Sequence, residues 1–197
     1  MNDVKGTFRV YDPNPSFFNR IKNKMLRGDP HCEIVKDETL VLGFCDMVAA
    51  GMNNVANVGV PQAINHLGAN VNVPTTSYIS AGVASDTIGI CLGRGAPSAV
   101  AIASFALDTP ITHGIGANQL SFGLQSFVAP VTSGTSRLFI VSRPFTNGSG
   151  APVTVTNVGV FCYVAGASMV MIDKTNVTFV VPNGGNKTVT YTLTITV

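Results

Sequence analysis

The stretch Lys187-Thr188-Val189-Thr190-Tyr191-Thr192-Leu193-Thr194-Ile195-Thr196-Val197 decides the fold class of this chain. Threonine occupies every second position from 188 to 196, and the positions between carry valine, tyrosine, leucine and isoleucine. A period of two is typical of a strand that turns one face to a core and the other outward. The outward face of this strand therefore carries hydroxyl groups and no charge.

Upstream of this strand the same period recurs in short segments between clusters rich in glycine, proline and asparagine. Such clusters favour tight turns, so each segment predicts a separate strand. The predicted strands are Thr87–Leu92, Val100–Leu107, Gln119–Phe127, Ser136–Arg143, Val153–Val164, Ser168–Ile172, Val177–Val181 and Lys187–Val197. Short strands at near-regular spacing indicate a mainly β fold, an antiparallel β-sandwich of jelly-roll-like type, over residues 78–197.

Residues 1–37 are predicted to be an N-terminal arm. Gly6–Tyr11 alternates like a short strand, and Pro15 is suited to open a short helix that ends before Gly28. An isolated helix of this length is marginal in water, so its apolar stripe is expected to dock on the body or on a neighbouring protein. The stripe consists of Phe17, Phe18, Ile21 and Met25, which we predict to be interface residues.

Residues 38–77 are predicted to be a helix followed by a linker. Glu38 suits a first turn, and the run from Leu40 to Met52 is apolar on nearly every side, which is typical of a buried helix. Residues 57–77 are rich in asparagine, glycine, valine and proline and predict irregular structure.

Charge is scarce and unevenly placed. Charged residues make up 11% of the 197 residues, against an ordinary share of about 25%, and the formal net charge is +2. Residues 1–46 hold seven of the twelve Lys and Arg and seven of the ten Asp and Glu. Near-neutrality argues against binding to nucleic acid, and uncharged faces favour association, so we expect a homo-oligomer.

The residue types that carry chemistry are scattered. The cysteines at 32, 45, 91 and 162 form no CxxC pair, and the three histidines share no ligand spacing. No carboxylate pair is singled out, and no apolar run of about 20 residues indicates a membrane span. We therefore expect reduced thiols and no enzyme activity, metal, cofactor, small-molecule substrate or membrane partner. Since no apolar segment follows Met1, we expect synthesis in a reducing cytoplasm.

The run from Arg143 to Phe161 resembles a pattern in virion structural proteins of tailed bacteriophages. In that pattern an Arg-x-Phe-x-Asn strand end passes through a Ser-Gly turn into a strand rich in threonine and valine, as in Arg143-Pro144-Phe145-Thr146-Asn147-Gly148-Ser149-Gly150-Ala151-Pro152-Val153-Thr154-Val155. The closing strand and the helical run from Val41 to Met52 are similar to the same family. So are Ile88–Pro97 and Phe105–Leu107, so the resemblance covers roughly residues 38–197.

The resemblance implies a non-enzymatic component of a virion, made in the host cytoplasm and docked to capsid, collar, tail or baseplate proteins. It does not choose among tail, baseplate, fibre-attachment, collar and capsid-decoration positions. Two departures leave the position open, namely the long linker at 57–77 and Asp173-Lys174, where an Arg–Asp order is more usual. An alternative is a receptor- or glycan-binding module of a phage fibre, and a hydrolase would need an acid pair that the sequence does not single out.

Five residues of this region are predicted to have structural or interface roles: Arg143, Phe145, Asn147, Gly150 and Tyr191. Arg143 is expected either to pair with Asp173 or a carbonyl group, or to be an exposed charge at a strand end. Phe145 is expected to anchor the core. The Asn147-Gly148 pair suits a tight β connection with positive φ.

Overall fold

The computed structural model describes residues 3–12, 32–38, 63–65, 67–71, 79–101, 103–134, 136–164 and 168–196. Within these ranges the chain is mainly β, with two principal antiparallel sheets, a small two-stranded one, and no helix. The strands are β1 Asp3–Tyr11, β2 Cys32–Glu38, β3 Ala63–Ile64, β4 Asn70–Val71, β5 Gly89–Gly93, β6 Ser121–Phe122, β7 Ser126–Ser133, β8 Ser136–Thr146, β9 Val153–Val164, β10 Ser168–Val181 and β11 Asn186–Thr196. None of the described segments forms a helix long and apolar enough to span a membrane.

The larger sheet is built around the strand that decides the fold class. Its order is β2-β1-β11-β8, and both β6 and β7 pair with the far side of β8. In β11 the predicted alternation is confirmed from Val189 to Thr192, because Val189 and Tyr191 are buried whereas Thr190 and Thr192 are half-buried. Towards the end of the strand it is not, since Ile195, predicted to face the core, is 41% exposed. The threonine side of β11 is therefore the outer face of the sheet.

The smaller sheet has the order β10-β9-β5 and is covered on both faces. This double burial explains why β9 and β10 are apolar over long stretches rather than strictly alternating. One face contributes to a hydrophobic cluster shared with the larger sheet, which includes Phe8, Val10, Val141, Phe145, Val189 and Tyr191 from the larger sheet and Ile90, Leu92, Val155, Val158, Val160 and Val181 from the smaller. The other face carries a second cluster of Cys91, Leu107, Phe161, Met169 and Met171.

Four of the predicted strands need correction. No strand forms at the described residues of Val100–Leu107, where Ser104 and Ala101 instead bond within a turn. The segment Gln119–Phe127 divides into β6 and the start of β7. Ser168–Ile172 and Val177–Val181 are one strand, because β10 absorbs the intervening polar residues with two register shifts against β9.

The sheet also reaches into ranges predicted to be arm and linker. β1 lies between β11 and β2 in the larger sheet, so the described parts of residues 1–37 belong to the same sheet as the C-terminal strand. Glu38, predicted to open a helix, is the last residue of β2. Within the predicted linker, β3 and β4 form a short hairpin, in which Asn65 Oδ1 accepts hydrogen bonds from the Leu67 and Ala69 amides. The predicted helix at 15–27, and the one at 38–58 beyond Glu38, lie outside the described residues.

Candidate functional site

Arg143 is the centre of the most heavily bonded site in the described part of the resembling region. It lies on β8, its exposed fraction is 0%, and its side chain reaches from the larger sheet to the edge of the smaller one. All five N–H donors of the guanidinium are used: Nε donates to one carbonyl at 3.0 Å, and Nη1 and Nη2 each donate to two. The acceptors are the backbone oxygens of Gly82, Ser85, Ile88, Ile90 and Gly123.

Two aromatic rings complete the surroundings of Arg143. The guanidinium carbon lies 5.0 Å from the centre of the Phe122 ring and 5.9 Å from that of Phe145, and the two rings meet edge to face at 4.9 Å. Burial lowers the pKa of Arg143, while the charges of Cys91 and Asp86 oppose that shift. Because its donors are all used inside the protein, Arg143 holds loops in place and has no donor left for a ligand.

Arg143 thus pairs with carbonyl groups, one of the alternatives predicted for it, and it is not an exposed strand-end charge. Asp173, the other predicted partner, instead faces Tyr191. Burial, and after it the nearby Asp173 carboxylate, raise the pKa of Tyr191 well above its ordinary 10.0. The Tyr191 ring also packs on Phe8 at 4.9 Å, so this predicted site residue is a core residue.

Asn147 organises the turn that follows β8. Its Nδ2 donates to Ala151 O and Val181 O, both at 2.8 Å, and its Oδ1 accepts from the amide and the hydroxyl of Ser149. Gly150 has φ of 85°, and its amide donates to Asn183 Oδ1 at 3.0 Å. The predicted positive φ therefore falls on Gly150 and not on the Asn147-Gly148 pair itself. The structure brings Arg143, Phe145 and Asn147 together on one strand and its turn.

Sequence reasoning missed a polar cluster on the outer face of the smaller sheet. Lys174 Nζ lies 3.2 Å from Asp108 Oδ2, and Asn157 Nδ2 donates to the same oxygen at 2.9 Å. Lys174 also contacts Ser98 Oγ at 3.2 Å, and Asn176 Nδ2 donates to Ser98 O. The sequence does contain one signal, the adjacent charges Asp173 and Lys174 within the mainly apolar β10. Charged side chains are buried in a strand only where partners inside the protein compensate them.

The electrostatics of Asp108 follow from this cluster. Burial raises the pKa of Asp108, but hydrogen bonds from Ser98 and Lys174, with the Lys174 charge, outweigh that effect and bring the pKa below its ordinary 3.8. The carboxylate is therefore charged at neutral pH, and the cluster ties the loop that carries Asp108 to β9 and β10.

Two cysteines, Cys91 and Cys162, lie in the core. Cys91 and Cys162 are free and buried, and burial raises the pKa of each thiol to about 12. A pocket of about 80 Å³ adjoins Cys91, Leu107 and Phe161, but a thiol with so high a pKa is a poor nucleophile. Among the described residues no group of three or more His, Cys, Asp or Glu side chains could hold a metal ion.

The predicted interface residues Phe17, Phe18, Ile21 and Met25 lie outside the described residues. In comparisons with known proteins, no family model, no curated protein and no solved structure matches the chain.

Proposed function

We propose that this chain is a non-enzymatic structural component of a phage virion. In this proposal its two main sheets are the layers of a jelly-roll-like β-sandwich, which associates with further copies through uncharged β faces. Residues 13–31 dock to neighbouring virion proteins. The observation that carries the proposal is that half of the few charged side chains in residues 47–197 are buried.

Residues 47–197 contain only eight charged side chains. Four of them are buried, namely Arg143, Asp173, Lys174 and Lys187, with exposed fractions of 5% or less. Each is engaged by partners inside the protein, as Lys187 is by Asp12 at 2.9 Å. The surface of this part therefore has even less charge than the composition suggests, and such surfaces favour association.

Apolar side chains occupy the surface instead. Leu67, Ile115 and Leu124 are 77%, 71% and 63% exposed, and Phe127 and Val128 on β7 are exposed by more than 40%. Single exposed apolar residues are ordinary in soluble proteins. Val128 lies opposite Ile140 and so shares the outer side of the larger sheet with Thr192, where an apolar group on a surface poor in charge favours contact with other protein.

The edges of the larger sheet are unsuited to strand addition. β2 has four charged residues among its seven, and β7 contains Pro130 within a register shift between Val128 and Val131. Charge, proline and bulges are the devices by which edge strands avoid pairing with another chain. Association is therefore expected through a face of the sheet and not through its edges.

The outer face of the larger sheet is the best candidate. We define the threonine face as Ser142 of β8 and Thr188, Thr190, Thr192 and Thr194 of β11, which share one side of the sheet. On β1 this side continues through Thr7 and the exposed Arg9, which lies opposite Thr190, so the uncharged area is the part on β8 and β11. Its hydroxyls also bond to each other, with Ser142 Oγ and Thr190 Oγ1 2.7 Å apart. Hydroxyls can exchange water for a partner's polar groups at much lower cost than charges can.

Self-association is tested by placing a charge on this face. In analytical ultracentrifugation we expect the wild-type chain to form an oligomer and Thr192→Glu to shift it to monomer. Thr178→Glu, on an exposed position of β10, is the matched control and should leave the oligomer intact. A wild-type chain that stays monomeric at high concentration would overturn the self-association.

Docking of the N-terminal segment is tested without deleting the arm, because deletion of residues 1–37 would remove β1 and β2 from the larger sheet. We expect the fourfold serine variant of Phe17, Phe18, Ile21 and Met25 to fold but to be lost from purified particles. The control replaces Lys22 and Lys24 by serine in the same segment. Normal incorporation of the fourfold variant would contradict the docking role.

The virion assignment itself is tested by mass spectrometry of purified particles with copy number. Copies in the hundreds would indicate a capsid or decoration position, and a count near the symmetry of one ring a connector or baseplate position. Absence of the chain from particles would overturn the proposal.

A further inference from the structure

A lysine and an asparagine on neighbouring strands share one carboxylate oxygen. Lys174 Nζ and Asn157 Nδ2 both contact Asp108 Oδ2, at 3.2 Å and 2.9 Å. The exposed fractions of Lys174 and Asn157 are 2% and 0%, so both reactive groups are held away from bulk water. An amine, a side-chain amide and a carboxylate that contacts both of their nitrogens are the groups needed to form a new amide bond.

The strand register brings the two side chains to one face. In the β9–β10 pair, Asn157 lies opposite Asn176, and Lys174 lies opposite Gly159. Asn157 and Lys174 are therefore diagonal neighbours, about 7–8 Å apart at the backbone, a distance that their two side chains can span. Gly159 places no side chain between them.

The amide of Asn157 is incompletely satisfied. Its Oδ1 is buried and has no hydrogen-bond partner, and it lies so close to Gly93 that a Cβ on that glycine would be 2.0 Å away. A buried carbonyl oxygen without a donor costs about 1–3 kcal/mol and calls for an explanation. A side chain held in this way for a reaction provides one.

We propose that Lys174 and Asn157 form an intramolecular isopeptide bond, with Asp108 carrying the proton. The Asp108 carboxylate takes a proton from the Lys174 ammonium, and the neutral Nζ attacks Cγ of Asn157. The C–Nδ2 bond then breaks, and the departing nitrogen takes the proton from Asp108 and a second from Nζ. Lys174 and Asn157 become joined by one amide bond, the departing nitrogen leaves as an ammonium ion, and Asp108 is regenerated as a carboxylate, so the covalent mass falls by one ammonia.

Fixed geometry is what makes this step feasible. Holding two reactants beside one shared carboxylate raises their effective concentration, and a carboxylate that contacts both nitrogens acts as base and then as acid. Since Lys174 starts as the charged member of an ion pair, proton transfer precedes attack, and the bond is expected to form slowly after folding.

Mass spectrometry of the intact full-length chain, purified and then aged in the folded state, tests the proposal. The expected mass is short of the sequence mass by one ammonia. Trypsin does not cleave after an acylated lysine, and Lys174 is the only Lys or Arg between Arg143 and Lys187. The cross-linked chain should therefore give a peptide that is uncleaved after residue 174, with fragment ions that branch between Asn157 and Lys174.

Two variants isolate the residues involved. Lys174→Arg keeps a cation beside Asp108 but has no nucleophilic amine at neutral pH, and Asp108→Asn keeps an acceptor but cannot carry the proton. Both should fold, as judged by circular dichroism, and show the full mass. Lys187→Arg, at the other buried lysine–aspartate pair, is the control and should still lose ammonia.

Full mass with complete cleavage after Lys174 in the aged wild-type protein would overturn the proposal, and it would do so without reference to any variant. Ammonia loss that fragment ions place at Asn147 or Asn183, the two asparagines that precede glycine, would equally count against it.

Discussion

Gln125 Oε1 accepts a hydrogen bond of 2.8 Å from the backbone amide of Ile90, and this contact joins the two main sheets at one side. Gln125 lies between β6 and β7 of the larger sheet, whereas Ile90 lies on β5, the edge of the smaller one. The Gln125 Nε2 donates in turn to Ile79 O at 2.7 Å. Among the described strands, the two main sheets are not joined by backbone pairing. The side chains of Gln125 and Arg143 link them instead, by hydrogen bonds to the backbone of the β5 segment.

Gly89→Ala tests this junction. Gly89 has φ of 72°, and a Cβ there would lie 2.2 Å from Gln125 Oε1. We expect the alanine variant to lose more than about 3 kcal/mol of unfolding free energy, from backbone strain and displacement of Gln125 together. Urea denaturation measures the loss.

The matched control is Gly134→Ala. Gly134 also has positive φ, 58°, but a Cβ there would have nothing within 4 Å. It should cost only the left-handed strain, about 1–2 kcal/mol. Equal losses in the two variants would show that the contact of Gly89 with Gln125 is unimportant.

Arg143→Lys tests whether the guanidinium fork is required. An ammonium has three donors where the guanidinium has five, so at least two of the five carbonyl groups would lose their partner inside the protein. We expect a loss of about 3–5 kcal/mol in unfolding free energy. Arg9→Lys, at an exposed position of β1, should stay within about 0.5 kcal/mol of wild type, and a similarly small effect at Arg143 would contradict the structure.

The sequence predicts the long strands well and the site only in part. β9 is predicted at both bounds and β11 within one residue, because the turn residues that flank both strands are local signals, and β11 also alternates. The burial of Arg143 has no such signal, because its five acceptors come from residues 20 to 61 positions away along the chain. The pairing of β1 with β11 is equally non-local, so a short alternating segment near the start of the chain could not be assigned to the sheet of the C-terminal strand.

Asn147→Asp tests the turn after β8. Aspartate keeps the acceptor for Ser149 but loses both Nδ2 donations and turns a carboxylate toward the carbonyl groups of Ala151 and Val181. We expect a loss of about 2–4 kcal/mol, measured by thermal and urea denaturation. Asn183→Asp is the control, since exposed Asn183 acts through its oxygen alone in its contact with Gly150 and should be near neutral. An unfolding free energy of Asn147→Asp close to that of wild type would contradict the assignment of Nδ2 as the essential donor of this turn.

The acid limb of stability should depend on Asp108. Its folded pKa lies below the unfolded value of 3.8, so its contribution is present above that value and is lost as pH falls through the folded pKa. Asp108→Asn should therefore flatten the decline in unfolding free energy below about pH 4. If the unfolding free energy of wild type and Asp108→Asn falls equally steeply below about pH 4, the ion pair of Asp108 with Lys174 does not contribute to stability.

The alkaline limb should depend on the buried thiols. The pKa of Cys162 is raised from 9.0 to about 12 by burial, so in the folded protein the thiol stays neutral where the unfolded chain would ionise. Its contribution is complete below pH 9 and is lost as pH rises from there to about 12, and three pKa steps correspond to about 4 kcal/mol at most. Cys162→Val removes the ionisable group while filling the core, so the variant should lose less stability than wild type between these pH values. Urea denaturation at several pH values between 9 and 12 measures the unfolding free energy of both proteins. If the free energy falls equally with pH in both, the loss of stability at high pH does not come from Cys162. Cys91 and Tyr191, whose pKa values are also raised, are then the next groups to substitute.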